Sequence, residues 1–234
     1  MSSSSDRTSQ PGETLPPEFA PQPEPPTQSA PVVEHLPEKI VVVATRNPGK
    51  LAEIRATLPF PHWRFVSSVE LGDWPEPEES GLTFEENAHI KALTARERFG
   101  LAALADDSGL EVDALDGEPG VYSSRYAGPC ASDAENNSRL LLALASVPDA
   151  ERSARFRCVM VFIDEDGSEF VGTGACEGHI EREPRGAHGF GYDPLFQPDA
   201  TPGRRMAELG TAEKNAISHR GAALRALRDL LERA

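Results

Sequence analysis

The sequence predicts an α/β fold, a single domain with a central mixed β-sheet flanked by helices, and three observations lead there. Ile40, Val41, Val42, Val43 and Ala44 form an unbroken, largely β-branched run that reads as a strand covered on both faces, and a turn and a helical spacing follow it directly. Two helix-start signatures, Thr83 with Glu86 and Ser132 with Glu135, are interleaved with further apolar runs. Late in the chain, two apolar segments joined at Asp164 to Gly167 form a hairpin, which makes the sheet mixed.

Taken in order, Thr45, Arg46, Asn47, Pro48, Gly49 and Lys50 are polar and turn-forming, and Leu51, Ile54 and Leu58 recur after them at helical spacing. Phe60 to Glu79 carries a looser alternation at Trp63, Phe65 and Val66. It then turns acidic around Pro75 and Pro77, so this span is a strand and a loop. The helix capped by Thr83 buries Phe84, Ala88, Ala92, Ala95 and Phe99 and stops at Gly100. Ala102 to Ala105 is a short apolar strand ending at Asp106, Asp107, Ser108 and Gly109, and a weaker pattern continues to a turn at Gly117, Pro119 and Gly120. The helix capped by Ser132 turns Leu140, Leu141 and Leu144 to the core. Arg155 to Ile163 and Phe170 to Cys176 are the hairpin strands, apolar on both faces. Pro184 to Tyr192, rich in Gly, Ala and His, is a loop approaching a ligand or another backbone. Glu213 to Leu231 closes the chain as one helix with Ile217, Leu224, Leu227 and Leu231 inward.

Composition sets the leader apart from this body. The chain has 234 residues, 38% hydrophobic and 26% charged, enough for a sizeable core. Residues 1–38 hold 9 of the 21 prolines and a single aromatic, Phe19, a composition that does not repay the entropy of ordering it. They are expected to be a disordered Pro-rich leader, and residues 39–234 the folded domain. The net charge of -15 repels a phosphate backbone and excludes wrapping of a long nucleic acid, while leaving room for a small anion held by a few placed cations. Cys130, Cys158 and Cys176 show neither CxxC nor zinc spacing, so each reads as an apolar filler in a reduced, cytoplasmic protein. No apolar signal segment or run of membrane-spanning length appears, so export and membrane insertion are disfavoured.

Five clusters carry chemistry. Thr45, Asn47 and Lys50 lie between a buried strand and a helix, where N–H groups, the positive helix end and an ammonium converge on an anion; the Walker spacing is absent, and a solvated helix start is the alternative. Asp106 and Asp107 end a buried strand and, by strand alternation, face opposite ways, which favours a functional role, with a turn and N-cap as the alternative. Glu78 and Glu79 offer a further hard oxygen ligand of the kind Mg2+ takes, though an acidic run is more often only solvated. Phe190, Gly191, Tyr192 and Asp193 suit a planar base, with core packing as the alternative. Lys214, Ser218, His219 and Arg220 gather around the last helix, Lys214 and Ser218 one turn apart on the same face and a solvated surface pair the alternative for His219 and Arg220.

In order and wording these blocks resemble the Ham1-type inosine triphosphate pyrophosphatases. The likeness rests on Thr45 to Lys50, Glu79-Ser80-Gly81 with Glu86-Asn87-Ala88, Ala105 to Leu110, Pro119 to Tyr126, Phe190 to Asp193 and Ser218 to Gly221, and it runs from about Ile40 to Leu231. It implies a substrate cleft between two lobes and hydrolysis of ITP, dITP and XTP to monophosphate and pyrophosphate with Mg2+, usually by homodimers. Carried over by position, Thr45, Arg46, Asn47, Pro48, Gly49 and Lys50 match the phosphate loop, Asp107 the catalytic carboxylate and metal ligand, Ser108 a substrate contact, and Lys91 a family lysine. Phe190, Gly191, Tyr192, Asp193, Lys214, His219 and Arg220 match base and substrate contacts; Glu79 is the upstream metal ligand, with Glu78 not separated from it. Two alternatives remain at this point: a Maf-like pyrophosphatase acting on pyrimidine or modified triphosphates, and a nucleotide sensor without turnover.

Overall fold

The computed structural model describes residues 38–72, 74–75 and 77–234. Apart from Glu38, the Pro-rich leader lies outside the described residues, and so does the expectation of disorder there.

Strand β1, Lys39–Val43, leads into helix α1, Pro48–Thr57, and returns as β2, Trp63–Ser67, parallel to β1 with Val41 opposite Phe65. Asn47 starts α1 as expected of a cap: its Oδ1 accepts from the N–H groups of Gly49 at 2.8 Å and Lys50 at 3.4 Å, and Pro48 fills the first turn. A short helix absent from the sequence reading, α2, Ser68–Leu71, follows on a capping box closed by Ser67 and Glu70. Helix α3, Phe84–Phe99, has the Thr83–Glu86 box at its start and Gly100, at φ 65°, at its end.

The next strand, β3, Ala102–Val112, corrects an expectation. Asp106 and Asp107 do not end it but lie in its middle, because the ladder to β4, Ser153–Ile163, continues through Asp107 opposite Val159 to Val112 opposite Ala154. Asp, Ser and Gly are poor strand formers, and the cross-strand pairing overrides that preference. Helix α4, Asp133–Ala143, starts on the Ser132–Glu135 box; Leu140 and Leu144 are buried and Leu141 partly so. Strand β5, Glu169–Ile180, completes the hairpin, and a three-residue edge strand not foreseen, β6, Phe196–Pro198, pairs with it.

The expected closing helix is two helices. α5, Thr211–Ile217, stops at Ser218, whose backbone is extended (ψ 150°), and α6, His219–Leu231, begins there with Ser218 Oγ accepting the Gly221 N–H at 3.1 Å. Helical spacing ran through the break although the halves pack on different clusters, Ile217 beside Leu110 and Leu140 and Leu224 with Leu227 beside Ile54, and the Ser218 cap competes with helix continuation. Lys214 and Ser218 therefore do not share one helix face.

The sheet order is β2-β1-β3-β4-β5-β6, parallel over the first three strands and antiparallel beyond. α1 and α6 cover one face with Leu51, Ile54, Leu224 and Leu227; α3 covers the other with Ala88, Ala92 and Ala95. A further cluster around Leu110, Leu140 and Phe196 lies farther along the long strands. Cys158 and Cys176 are buried fillers, whereas Cys130 is exposed, contrary to expectation, in a loop that reverses at φ 62°.

Candidate active site

The site begins with the alternation of β3. Ala102 and Leu104 pack on the α1/α6 side, Ala103 and Ala105 on the α3 side, and the apolar pattern resumes only at Leu110. Between the apolar clusters Asp106 continues the first side and Asp107 the second, each meeting its own cations.

On the α1/α6 side Asp106, 5% exposed, accepts two bonds from Lys50 Nζ at 2.8 and 3.0 Å, and Arg220 Nε stands 3.5 Å away. Arg220 also donates to Glu53 at 3.2 Å. Burial by itself would raise the Asp106 carboxyl; Lys50, Arg220 and Lys91 outweigh it and hold the group well below the usual carboxylate range.

On the α3 side Asp107 accepts from Lys91 Nζ at 3.0 Å and Asn87 Nδ2 at 3.3 Å. The same ammonium reaches Glu79 Oε1 at 2.9 Å, and Arg125 Nη1 holds Glu79 Oε2 at 3.2 Å. Burial lifts the Asp107 carboxyl above its ordinary value, opposed by Lys91 and reinforced by the Glu79 charge. Burial acts on Glu79 too, yet Lys91 and Arg125 together bring it below its ordinary value. Glu78 is exposed, so geometry singles out Glu79 as the carboxylate beside Asp107. Among the described residues no group of three or more His, Cys, Asp or Glu side chains is gathered for a metal.

Beside these ion pairs lies a cavity of about 140 Å³ whose walls include Ser108 from mid-β3, Phe156 from β4, the Phe190–Asp193 loop, Lys214, His219 and Arg220. Ser124 belongs both to this wall and to the open cleft of Glu79 and Arg125, so the two regions adjoin. α6 delivers His219 and Arg220 because it lies very close to β5: a Cβ on Gly174 would run into the His219 carbonyl and the Ala223 amide. The His219 ring stacks on Phe156 at 4.9 Å and 17°. Burial, with Arg220 and Lys214 adding to it, pulls the imidazole from its ordinary 6.5 down to about 3, so it is neutral at physiological pH. Its Nδ1 is buried and has no hydrogen-bond partner among the described residues.

Phe190 is 53% exposed, with Lys214 Nζ 4.9 Å and Arg220 Cζ 5.9 Å from its ring centre. Asp193 pairs with Lys214 and accepts the Phe190 N–H at 3.0 Å. Gly191, at φ 60°, donates to Asp133 Oδ2 at 2.6 Å.

The expected residues thus separate by role. Lys50, Glu79, Lys91, Asp107, Ser108, Phe190, Gly191, Tyr192, Asp193, Lys214, His219 and Arg220 are brought into the adjoining regions. Tyr192 lines the cavity while also packing in the core, 3% exposed, its hydroxyl donating to the Ser123 carbonyl at 2.8 Å. Arg46 donates to the Trp74 carbonyl at 2.9 Å, and Thr45 is buried, its hydroxyl accepting the Asn47 N–H at 3.1 Å. The Gly49 and Lys50 N–H groups expected to meet an anion are capped by Asn47 instead, and Pro48 and Gly49 are exposed. Sequence reasoning missed Glu53, Phe156 and Arg125. Glu53 follows Lys50 by one helical turn and Arg125 lies within the Pro119–Tyr126 block of the family likeness, both usable signals; Phe156 carries none, because its stacking partner His219 is far away in sequence. A wider groove between α3 and β5, lined by His89 and Glu169, holds none of the expected site residues.

Fold and site define a class: an α/β protein that sets paired carboxylates and lysines against a cavity with an aromatic wall and a His-Arg edge. Within that class the chain belongs to the Ham1 family, whose sequence profile matches residues 41–230. It is 53% identical over 191 residues to a Geobacter sulfurreducens protein named dITP/XTP pyrophosphatase, covering 82% of this chain and 96% of that one. A Yersinia pestis protein of the same name is 50% identical, with 82% and 97% covered. Among solved structures, a HAM1 protein from Coxiella burnetii superposes with a TM-score of 0.77 at 47% identity, covering 84% of this chain and all of that one. The Staphylococcus aureus Ham1 protein gives 0.75 at 40% identity, with 83% and 98% covered.

Proposed function

We propose that this protein hydrolyses the deaminated purine nucleoside triphosphates ITP, dITP and XTP to the monophosphate and pyrophosphate. The observation that carries it is the adjacency of the His219–Arg220 cavity to the Asp107–Glu79 carboxylate pair, and relatives bearing the pyrophosphatase name support it.

A divalent metal, Mg2+ in our reading, suits the carboxylate pair. Glu79 Oε1 and Asp107 Oδ1 already share one cation, the Lys91 ammonium, and hard oxygens with the rest of the shell left to water and phosphate are what Mg2+ takes. When bound it supplies positive charge and Lewis acidity at the phosphates. The chain's own groups do the remainder. Asp107, whose carboxyl burial raises above its ordinary value, accepts the proton of the attacking water. Lys50 and Lys91 oppose the charge that builds on the departing pyrophosphate. Phe190 stacks on the base. Arg220 has only donors, so it suits a 6-oxo group and opposes the 6-amino group of adenine, a mismatch worth ~10⁴-fold in selectivity; the neutral His219 adds one N–H donor to that edge.

The test is pyrophosphate release from ITP, dITP, XTP, ATP, GTP and UTP with Mg2+. Turnover of the first three well above ATP is expected; preference for UTP points to a Maf-like activity, and no turnover to a sensor. Among the described residues no helix is long and apolar enough to cross a membrane. A cytoplasmic homodimer completes the proposal, checked by fractionation and by light scattering.

A further inference from the structure

The buried stripe of α3 is apolar at Phe84, Ala88, Ala92 and Ala95 but is interrupted by Asn87 and Lys91, one turn apart. Lys91 meets both Glu79 and Asp107, while Asn87 meets Asp107 alone. Asn87 Nδ2 holds the outer oxygen of Asp107 at 3.3 Å, and Arg125 Nη1 holds the outer oxygen of Glu79 at 3.2 Å. Fixed from behind, the inner oxygens converge on Lys91 Nζ at 3.0 and 2.9 Å, with the lysine side chain 7% exposed. Two anchored oxygens aimed at one point make a third of an octahedral coordination shell, and an ammonium stands there.

We propose that Lys91 is an exchangeable counter-ion. With no substrate bound its ammonium holds Glu79 and Asp107 together; when the metal and a triphosphate arrive together, the ammonium moves to phosphate oxygens and the two carboxylates pass to the metal. This rests on the pyrophosphatase reading above. A lysine suits the exchange because it is a point charge on a flexible stem, able to change anions without a fixed fork geometry. Free metal must displace the ammonium with no phosphate to receive it, so metal alone binds weakly, and metal and nucleotide strengthen each other's binding. The sign is opposite to that of a merely structural lysine: removing Lys91 tightens the protein's grip on free metal.

The experiment titrates Mn2+ alone at pH 8, followed by electron paramagnetic resonance, into the parent protein, Lys91→Met, Lys91→Gln and Asp107→Asn. The exchange predicts Mn2+ affinity at least tenfold tighter in both lysine variants; affinity equal to or weaker than the parent's overturns it. If Asp107→Asn takes up Mn2+ like the parent, with and without a non-hydrolysable ITP analogue, the metal assignment itself falls. A weakened Asp107→Asn beside unimproved lysine variants sinks only the exchange. Should the lysine variants not fold, the parent decides: the Lys91 ammonium resonance in a 15N spectrum shifts when Mg2+ and pyrophosphate are added together, and a resonance unmoved refutes the proposal.

Discussion

Asp106→Asn and Asp107→Asn are the same chemical change at neighbouring positions of one strand, and the structure gives them opposite consequences. Asp106 is 4% exposed in its side chain and faces Arg220, 5% exposed, and Lys50, 22% exposed. Removing one member of a buried ion pair costs about 3–5 kcal/mol. Lys50 is free to turn toward water and Arg220 keeps Glu53, which places the loss near the lower end, about 3 kcal/mol. At about 2–4 °C per kcal/mol for a domain of this size, the melting temperature falls by about 6–12 °C. Asp107→Asn leaves Lys91 its bond to Glu79 and costs only about 1–2 kcal/mol, but it removes the group proposed to accept the proton of water, so a fall in kcat of at least ~10²-fold is expected. Scanning calorimetry and pyrophosphate release with ITP, run on both proteins, separate the two effects. An Asp107→Asn protein within tenfold of the parent kcat, or an Asp106→Asn protein that melts with the parent, refutes this division of labour.

Other outcomes follow from the same contacts. His219 has a folded-state pKa near 3 against an ordinary 6.5, so its contribution to stability is complete above pH 6.5 and is lost as pH falls toward 3. Urea unfolding should show His219→Gln lacking a component of up to about 1.4 kcal/mol per pH unit in that window; identical slopes count against a buried neutral imidazole. Ser218→Ala removes the cap at Gly221 N and should cost about 1 kcal/mol in urea unfolding, with a change under about 0.3 kcal/mol contradicting the cap. Deleting residues 1–38 should leave kcat/KM for ITP within about twofold, whereas a loss near a hundredfold, ~2.7 kcal/mol, shows that the leader completes the site.

The parts of this molecule legible in its sequence are those fixed by local chemistry. The Thr83 and Ser132 boxes place α3 and α4 at their starting residues, and the β-branched run at Ile40 places β1, because caps and apolar runs act over a few residues. What escaped is set by distant partners. β3 runs past its two carboxylates because β4 pairs with it, and a Ser218 that looks like one more helical residue is instead a cap between two helices. In the site, opposite facing of Asp106 and Asp107 follows from strand pleating alone, whereas Phe156 against His219 and Arg125 against Glu79 depend on loops and strands meeting across the fold.

Because the two carboxylates are consecutive on a pleated strand, the sheet itself is the partition between two positive centres. One backbone step separates the aspartate that anchors Lys50 and Arg220 from the one that faces Lys91, and parity of position decides which is which. Insertion of a single residue between Ala102 and Ala105 exchanges their sides and ruins both centres at once, while an equal insertion in the loop before Lys214 has no such lever. Length, as much as identity, is therefore what this stretch of chain must preserve.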